Sequence, residues 1–145
     1  MTIVDTNVLS EFMKDVPNEA VYFWMNGIPQ EELFTTAISV AEVLQGIEWL
    51  PEGRRRRSLS ESATRVFGGV FAGRILPFNV EAAEEFAGII VARRRSGSSY
   101  KTEDCMIAAI AKSVGMAVAT RNVRDFEGVG VEVIDPWAAG GGAKA

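Results

Sequence analysis

Asp5 ends a short apolar run, MTIVDTN, at the point where a strand gives way to a helix. Other carboxylates recur where helices begin. Glu42 lies in AISVAEVLQGIEWL, Glu103 and Asp104 in TEDCMIAAIAKSVG, and Asp125 in RNVRDF, with Asn122 just ahead of it. Carboxylates brought to one rim repel one another unless protons or cations intervene. Carboxylate and carbonyl oxygens suit hard ions such as Mg²⁺ or Mn²⁺. The sequence holds no histidine, which excludes a Ser-His-Asp triad, a Cys-His pair and an imidazole zinc site. The single cysteine, Cys105, has no basic partner nearby in sequence and can form no internal disulfide.

Each acid also has a purely structural explanation. Ser39-Val-Ala-Glu42 has the form of a capping box, in which Glu42 would hold its own helix start. Asp104 falls in a first helical turn, where the dipole favours an acid. Helical spacing does not choose between Glu103 and Asp104, and Glu103 lies nearer the centre of the Ile107–Ile110–Val114 stripe. Asp125 could cap a turn. Asp5 is the hardest to explain so, because Thr6 or Asn7 could cap the following helix without it.

The elements that must position these groups alternate. Strands are expected at 2–5, 32–36, 74–78, 116–120 and 131–135. Helices are expected at 6–14, 18–27 (capped by Asn18), 37–50, 54–71 (ending at Gly68-Gly69), 79–95 (capped by Asn79) and 102–115 (capped by Thr102, closed by Gly115). RNVRDFEGVG reads as a loop or one helical turn. Short apolar strands alternating with helices mean an α/β fold, a mainly parallel sheet with helices on both faces. Ligands of such sheets bind at the carboxyl ends of the strands. Asp5, Glu42, Asp104, Asn122 and Asp125 can all reach that rim.

At 145 residues and 48% hydrophobic, the chain suits one domain with a real core. It has no apolar run of about 18 residues, hence no expected membrane span. It shows no signal-peptide pattern, and one cysteine fits a reducing, cytoplasmic setting. A net charge of −4 argues against a general nucleic-acid glue, yet allows an acidic pocket within a locally basic surface. Arg54–Arg57 and Arg93–Arg95 could line a phosphate-binding groove, although Arg93–Arg95 also suit a helix C-terminus. Arg54–Arg57 stand at a helix start, where the dipole disfavours them, so an anionic partner is a competing explanation. Trp24, Trp49 and Trp137 read as core or interface residues.

Taken together, DTNVLSE, ISVAEVLQGI, EDCMIAAIAKSVGMAVATRNVRDF and VIDPW resemble the PIN-domain toxins of the VapC family, including FitB-like and StbB-like members. The resemblance runs from Thr2 to Trp137 in family order. It implies a three-layer α/β/α sandwich around a sheet of about five strands, with a PIN domain over 1–137; the low-complexity tail over 138–145 is expected to be disordered. It also implies a toxin that acts as a Mg²⁺- or Mn²⁺-dependent endoribonuclease on tRNA or ribosomal RNA. The family's acids map onto Asp5, Glu42 and Asp104, which settles Asp104 over Glu103. Its fourth position, often Asp, is Asn122 here, with Asp125 able to share the role. Asp5 and Asp104 are then the expected metal ligands. Glu42 is expected to orient or deprotonate water, and Thr6 and Thr120 to bond a ligand carboxylate or phosphate. Implied partners are a VapB-like antitoxin, a second copy in a homodimer, and operator DNA through the antitoxin alone. A competing assignment is a PIN fold that binds without cleaving. A haloacid-dehalogenase-like phosphatase needs an acid where Asn7 stands, and a receiver domain needs a mid-chain acid where ELFTT ends in Thr.

Overall fold

A computed structural model describes residues 1–138. Five short strands form one sheet: β1 (Thr2–Val4), β2 (Leu33–Thr36), β3 (Ile75–Leu76), β4 (Ala117–Ala119) and β5 (Val133–Ile134). All pair in parallel, in the order β3-β2-β1-β4-β5. The expected sheet is therefore present, with strands shorter than the apolar runs suggest. Around it lie α1 (Thr6–Phe12), α2 (Glu19–Asn26), α3 (Ala37–Glu48), α4 (Arg54–Arg65), α5 (Val80–Arg95), α6 (Thr102–Val114) and α7 (Val123–Phe126).

Alternation along β1 builds the layers. Ile3 faces one side and Val4 the other, as successive strand residues must. Ile3 joins Val118, Ile107, Ile110, Ile89 and Phe126 beneath α5 and α6. Val4 joins Val8, Leu9, Val21, Met25, Leu33 and Phe71 beneath α1 and α2. Both faces are covered, so β1 is buried throughout, as a central parallel strand should be. Val43, Ile47 and Ala63 make a satellite cluster between α3 and α4.

The strand order places a switch point at β1. The chain steps from β1 to β2 and β3 on one side, then returns to lay β4 and β5 on the other. Ligand crevices in open α/β sheets open at such a reversal, beyond the strands' carboxyl ends. Asp5 and Thr120 each stand one residue past a strand there.

Several local expectations are corrected. α4 stops at Arg65 and continues as a wider π turn over Val66–Val70, with Gly68 and Gly69 inside it. The cap of α6 is Lys101, in extended conformation and with no side-chain cap bond, because Thr102 is already helical. Gly115 does close that helix, in the left-handed conformation at φ 69. Trp24 and Trp137 pack against the Val4 cluster, whereas Trp49 is 79% exposed and is no core residue. Apart from Ala138, the tail expected to be disordered lies outside the described residues. Among the described residues no helix is long and apolar enough to cross a membrane.

Asn18 caps α2 by accepting from the Ala20 and Val21 N–H groups. Asn18→Ala should lower unfolding stability by about 1 kcal/mol, and Asn18→Gly by only a few tenths. Urea unfolding separates the two. Equal losses would mean that the side-chain bonds contribute nothing.

Candidate active site

Asp5 sits at the join of β1 and β4. Its N–H donates to Ala119 O at 2.9 Å, continuing the parallel ladder past the strand end. Its side chain caps α1 through Oδ1, which accepts from Thr6 N at 2.7 Å. Oδ2 accepts from Thr120 Oγ1 at 2.7 Å and from Asn7 Nδ2 at 3.2 Å. Asn7 also ties the two loops together, because its Oδ1 accepts from Arg121 N at 3.1 Å. Asp5 is thus a cap and a site carboxylate at once, and only 2% exposed. Burial pushes its carboxyl above the ordinary range. The Thr120 and Thr6 bonds pull it down, and the nearby charges of Glu42 and Asp125 push it up again.

Glu42 arrives from α3. That helix is capped by Thr36, whose Oγ1 accepts from Ser39 N at 3.1 Å. The expected capping box is therefore absent, since Ser39 lies inside the first turn and Glu42 nearly a turn beyond it. Glu42 Oε1 instead accepts from Thr6 Oγ1 at 2.6 Å, with Ser39 Oγ 2.9 Å from the same hydroxyl. The bond from Thr6 orients Glu42 toward the rim that bears Asp5.

Asp104 opens α6. It is 8% exposed, whereas Glu103 lies on the solvent side, which selects the residue that helical spacing left open. Its Oδ2 is buried and, among the described residues, has no hydrogen-bond partner. Burial raises its carboxyl to about 7. The charges of Asp5, Asp125 and Glu42 add to that rise, and Lys101 opposes it. Asp125 belongs to α7, half-buried, with its N–H bonded to Asn122 O at 2.9 Å. Asn122 caps that short helix without a side-chain bond, is exposed, and donates its N–H to Thr120 Oγ1 at 3.0 Å.

The four carboxylates lie within reach of each other's fields, yet among the described residues no three form a tight metal cage. A buried carboxylate oxygen without a protein donor, within the field of other carboxylates, is stabilised by a proton or a cation. The donor set fits a hard divalent ion held by few direct protein ligands. Asp5 and Asp104 are the two most buried of the four carboxylates. Thr6 Oγ1 bonds the Glu42 carboxylate and Thr120 Oγ1 the Asp5 carboxylate. The connecting roles of Asn7 and Ser39 carried no sequence signal, because they depend on loops that meet only in the fold.

Two clefts flank Asp125. One, of about 520 Å³, is lined by Arg93, Ser98, Ser99, Tyr100, Lys101, Arg124, Asp125 and Glu127. The other, of about 530 Å³, runs past Arg121, Asn122 and Asp135. Arg121 stacks over Trp137 at 4.9 Å from the ring centroid. Arg93 is committed to the carbonyls of Asp125 and Glu127, at 2.8 and 2.9 Å. The Arg54–Arg57 run lies away from these clefts, with Arg56 paired to Glu48 and Glu52.

A parallel sheet with buried acids at its switch point is the architecture of a PIN domain, and the chain belongs to that family. The PIN-domain family model matches residues 2–132. Among its relatives is the plasmid stability protein StbB of Pseudomonas syringae, 38% identical over 96% of this chain and 100% of the relative. The toxin FitB of Neisseria gonorrhoeae is 36% identical over 94% of this chain and 99% of its own. A VapC ribonuclease of Sinorhizobium fredii is 36% identical over 94% and 98%. These place the chain with the VapC and FitB proteins. The crystal structure of FitAcB from Neisseria gonorrhoeae superposes with a TM-score of 0.87 at 36% identity, covering 94% of this chain and 99% of that one. The structure of FitAB bound to an IR36 DNA fragment gives the same score at 37% identity, covering 94% and 96%.

Folded Asp104 keeps its proton up to about 7, whereas the unfolded chain releases it near the ordinary value of 3.8. The folded state then binds more protons between those values, so stability falls as pH rises through that window. With EDTA present, urea unfolding of the wild type should show this decline. Asp104→Asn should flatten it and be the more stable protein above about pH 7. Parallel profiles for the two proteins would mean that Asp104 titrates normally.

Proposed function

We propose that this protein is the toxin of a VapBC-type type II toxin–antitoxin module. Its proposed activity is that of a Mg²⁺- or Mn²⁺-dependent endoribonuclease hydrolysing phosphodiester bonds in RNA of the tRNA or ribosomal class. The observation that carries the reading is the unpartnered, buried Asp104 Oδ2 beside Asp5, Glu42 and Asp125. Protein donors satisfy Asp5 on both oxygens, yet none satisfies Asp104, as expected where a cation completes the set. The names of the similar proteins agree with the reading, since one is a ribonuclease and another a toxin.

Asp5 and Asp104 would hold the ion, directly or through water. A divalent ion supplies an acidified water and stabilises charge building on the phosphate during in-line attack. Glu42 is turned toward the site by the Thr6 hydroxyl on its Oε1, and can orient a water or accept its proton. Thr120 and Asn7 fix the Asp5 carboxylate, so that it need not reorganise as charge develops. Asn122 and Asp125 stand at the open side, where they can extend the coordination shell through water or contact the substrate. No histidine is required at any point.

The same reading assigns a cytoplasmic location and a VapB-like antitoxin partner covering the acidic rim. It further assigns a homodimer, and operator contact only through the antitoxin. The similar Neisseria protein was solved as FitAB with a DNA fragment, which supports the partner assignment.

RNA cleavage should require Mg²⁺ or Mn²⁺ and stop in EDTA. Asp104→Asn should lower the rate by about a hundredfold or more, the several kcal/mol that a displaced catalytic ion is worth. Mn²⁺ should raise the wild-type melting temperature but not that of Asp104→Asn. Bacterial growth arrest should follow expression of the wild type and be lost with Asp5→Ala. Cleavage that ignores EDTA would remove the metal mechanism, and equal arrest by both proteins would remove the toxin assignment.

A further inference from the structure

We infer that the 520 Å³ cleft beside Asp125 is the track along which a single-stranded segment of the RNA approaches the acids. Lys101 and Arg124 would neutralise its phosphates, and Tyr100 would offer a wall for a base. The inference rests on the nuclease reading and assigns it a substrate path.

A rim bearing Asp5, Glu42, Asp104 and Asp125 repels a polyanion. Any strand reaching it needs cations close by, at phosphate spacing from the acids. Lys101 is the cation whose charge acts on Asp104, so it stands nearest in electrostatic terms. It precedes Asp104 by less than one helical turn, at the mouth of α6. Arg124 precedes Asp125 directly and lines both flanking clefts. Both side chains are exposed, and among the described residues neither forms an ion pair. Exposed cations that no carboxylate of the protein has paired remain available to a phosphate.

The cleft itself is built to persist. Arg93, also in its wall, ties down the α7 backbone by donating to the carbonyls of Asp125 and Glu127. Tyr100 is held at its hydroxyl by Arg94 Nε at 3.0 Å, while its ring packs on the core beneath α5 and α6. A fixed aromatic ring in the cleft wall is a sequence-tolerant surface for stacking. Ser98 and Ser99 add hydroxyls on the far wall. The wall carries cations Arg93, Lys101 and Arg124 against carboxylates Asp125 and Glu127. A bound metal ion would tip that balance further toward an anion.

A single strand fits this cleft better than a duplex. Of the acids, Asp125 lines the cleft itself, and stacking on Tyr100 requires an unpaired base. Structured RNA would therefore present a loop here.

The test uses a short fluorescein-labelled single-stranded RNA of mixed sequence, bound to the full-length Asp104→Asn protein so that no cleavage intervenes. Adding Lys101→Gln and Arg124→Gln should weaken binding at least tenfold and make the salt dependence shallower by about 1.4 in log–log slope, two single-strand phosphate contacts. Tyr100→Leu should weaken binding about tenfold with the slope unchanged, whereas Tyr100→Phe should stay within about threefold. In the cleaving protein, Lys101→Gln and Arg124→Gln should raise KM by a larger factor than they lower kcat. Lys112→Gln, at the opposite end of α6, is the control and should leave binding unchanged. Wild-type cleavage together with unchanged affinity and slope in the double variant would overturn the cleft assignment alone. No binding and no cleavage of any RNA by the wild type would overturn the nuclease reading and the cleft with it. Weakening by Lys112→Gln equal to that of the double variant would reduce the effect to net charge and overturn the assignment.

Discussion

The bond from Thr120 Oγ1 to Asp5 Oδ2 holds together everything the site needs. It joins the residue after β1 to the residue after β4, the two strands that meet where the sheet reverses direction. The same carboxylate caps α1, and the same hydroxyl anchors the Asn122 N–H. One buried contact thus fixes the start of α1, the loop leading to α7, and the orientation of a site carboxylate. Neutral donors around a buried carboxylate are worth more than in water, because the low dielectric strengthens them. They also soften the cost of placing a charge there.

That cost is unevenly shared. Asp5 is supplied with donors on both oxygens, and Asp104 has an oxygen with none. Evening out the bonds would have been a simple route to a more stable protein. Burial first, and then the neighbouring carboxylate charges, keep the proton affinity of Asp104 high, near neutrality, with no donor to lower it. Glu42 lies between these cases, oriented by Thr6 on one oxygen. The carboxylates therefore have separate environments in spite of identical chemistry. Division of roles among like groups follows from such differences in solvation and bonding.

The surroundings answer the charge problem at longer range. The acids converge on the rim, and two exposed cations, Lys101 and Arg124, line the cleft beside Asp125. Arg93, by contrast, is consumed in holding backbone carbonyls, and Arg56 in pairing with Glu48 and Glu52. Basic residues that look alike in sequence thus divide into those engaged within the fold and those left exposed without an ion pair among the described residues. Only their neighbours distinguish them.

The order of strands and helices was legible from the sequence, because apolar spacing and end signals are local. Asn18 and Asn79 cap the helices they precede, and Gly115 closes α6, for the same reason. The parallel sheet followed from alternation of strand and helix. The resemblance of whole segments singled out Asp104, a choice that spacing alone left open. Tertiary structure decided the rest. It made Asp5 a cap as well as a site group, and it moved the cap of α3 from Ser39 to Thr36. It buried Asp104 without a donor and joined Asn7 to Arg121 across more than a hundred residues of chain. The physical reason is common to all of these: a cap or a strand needs only its sequence neighbours, whereas burial, field and hydrogen-bond supply at a carboxylate are set by whatever the sheet brings alongside it.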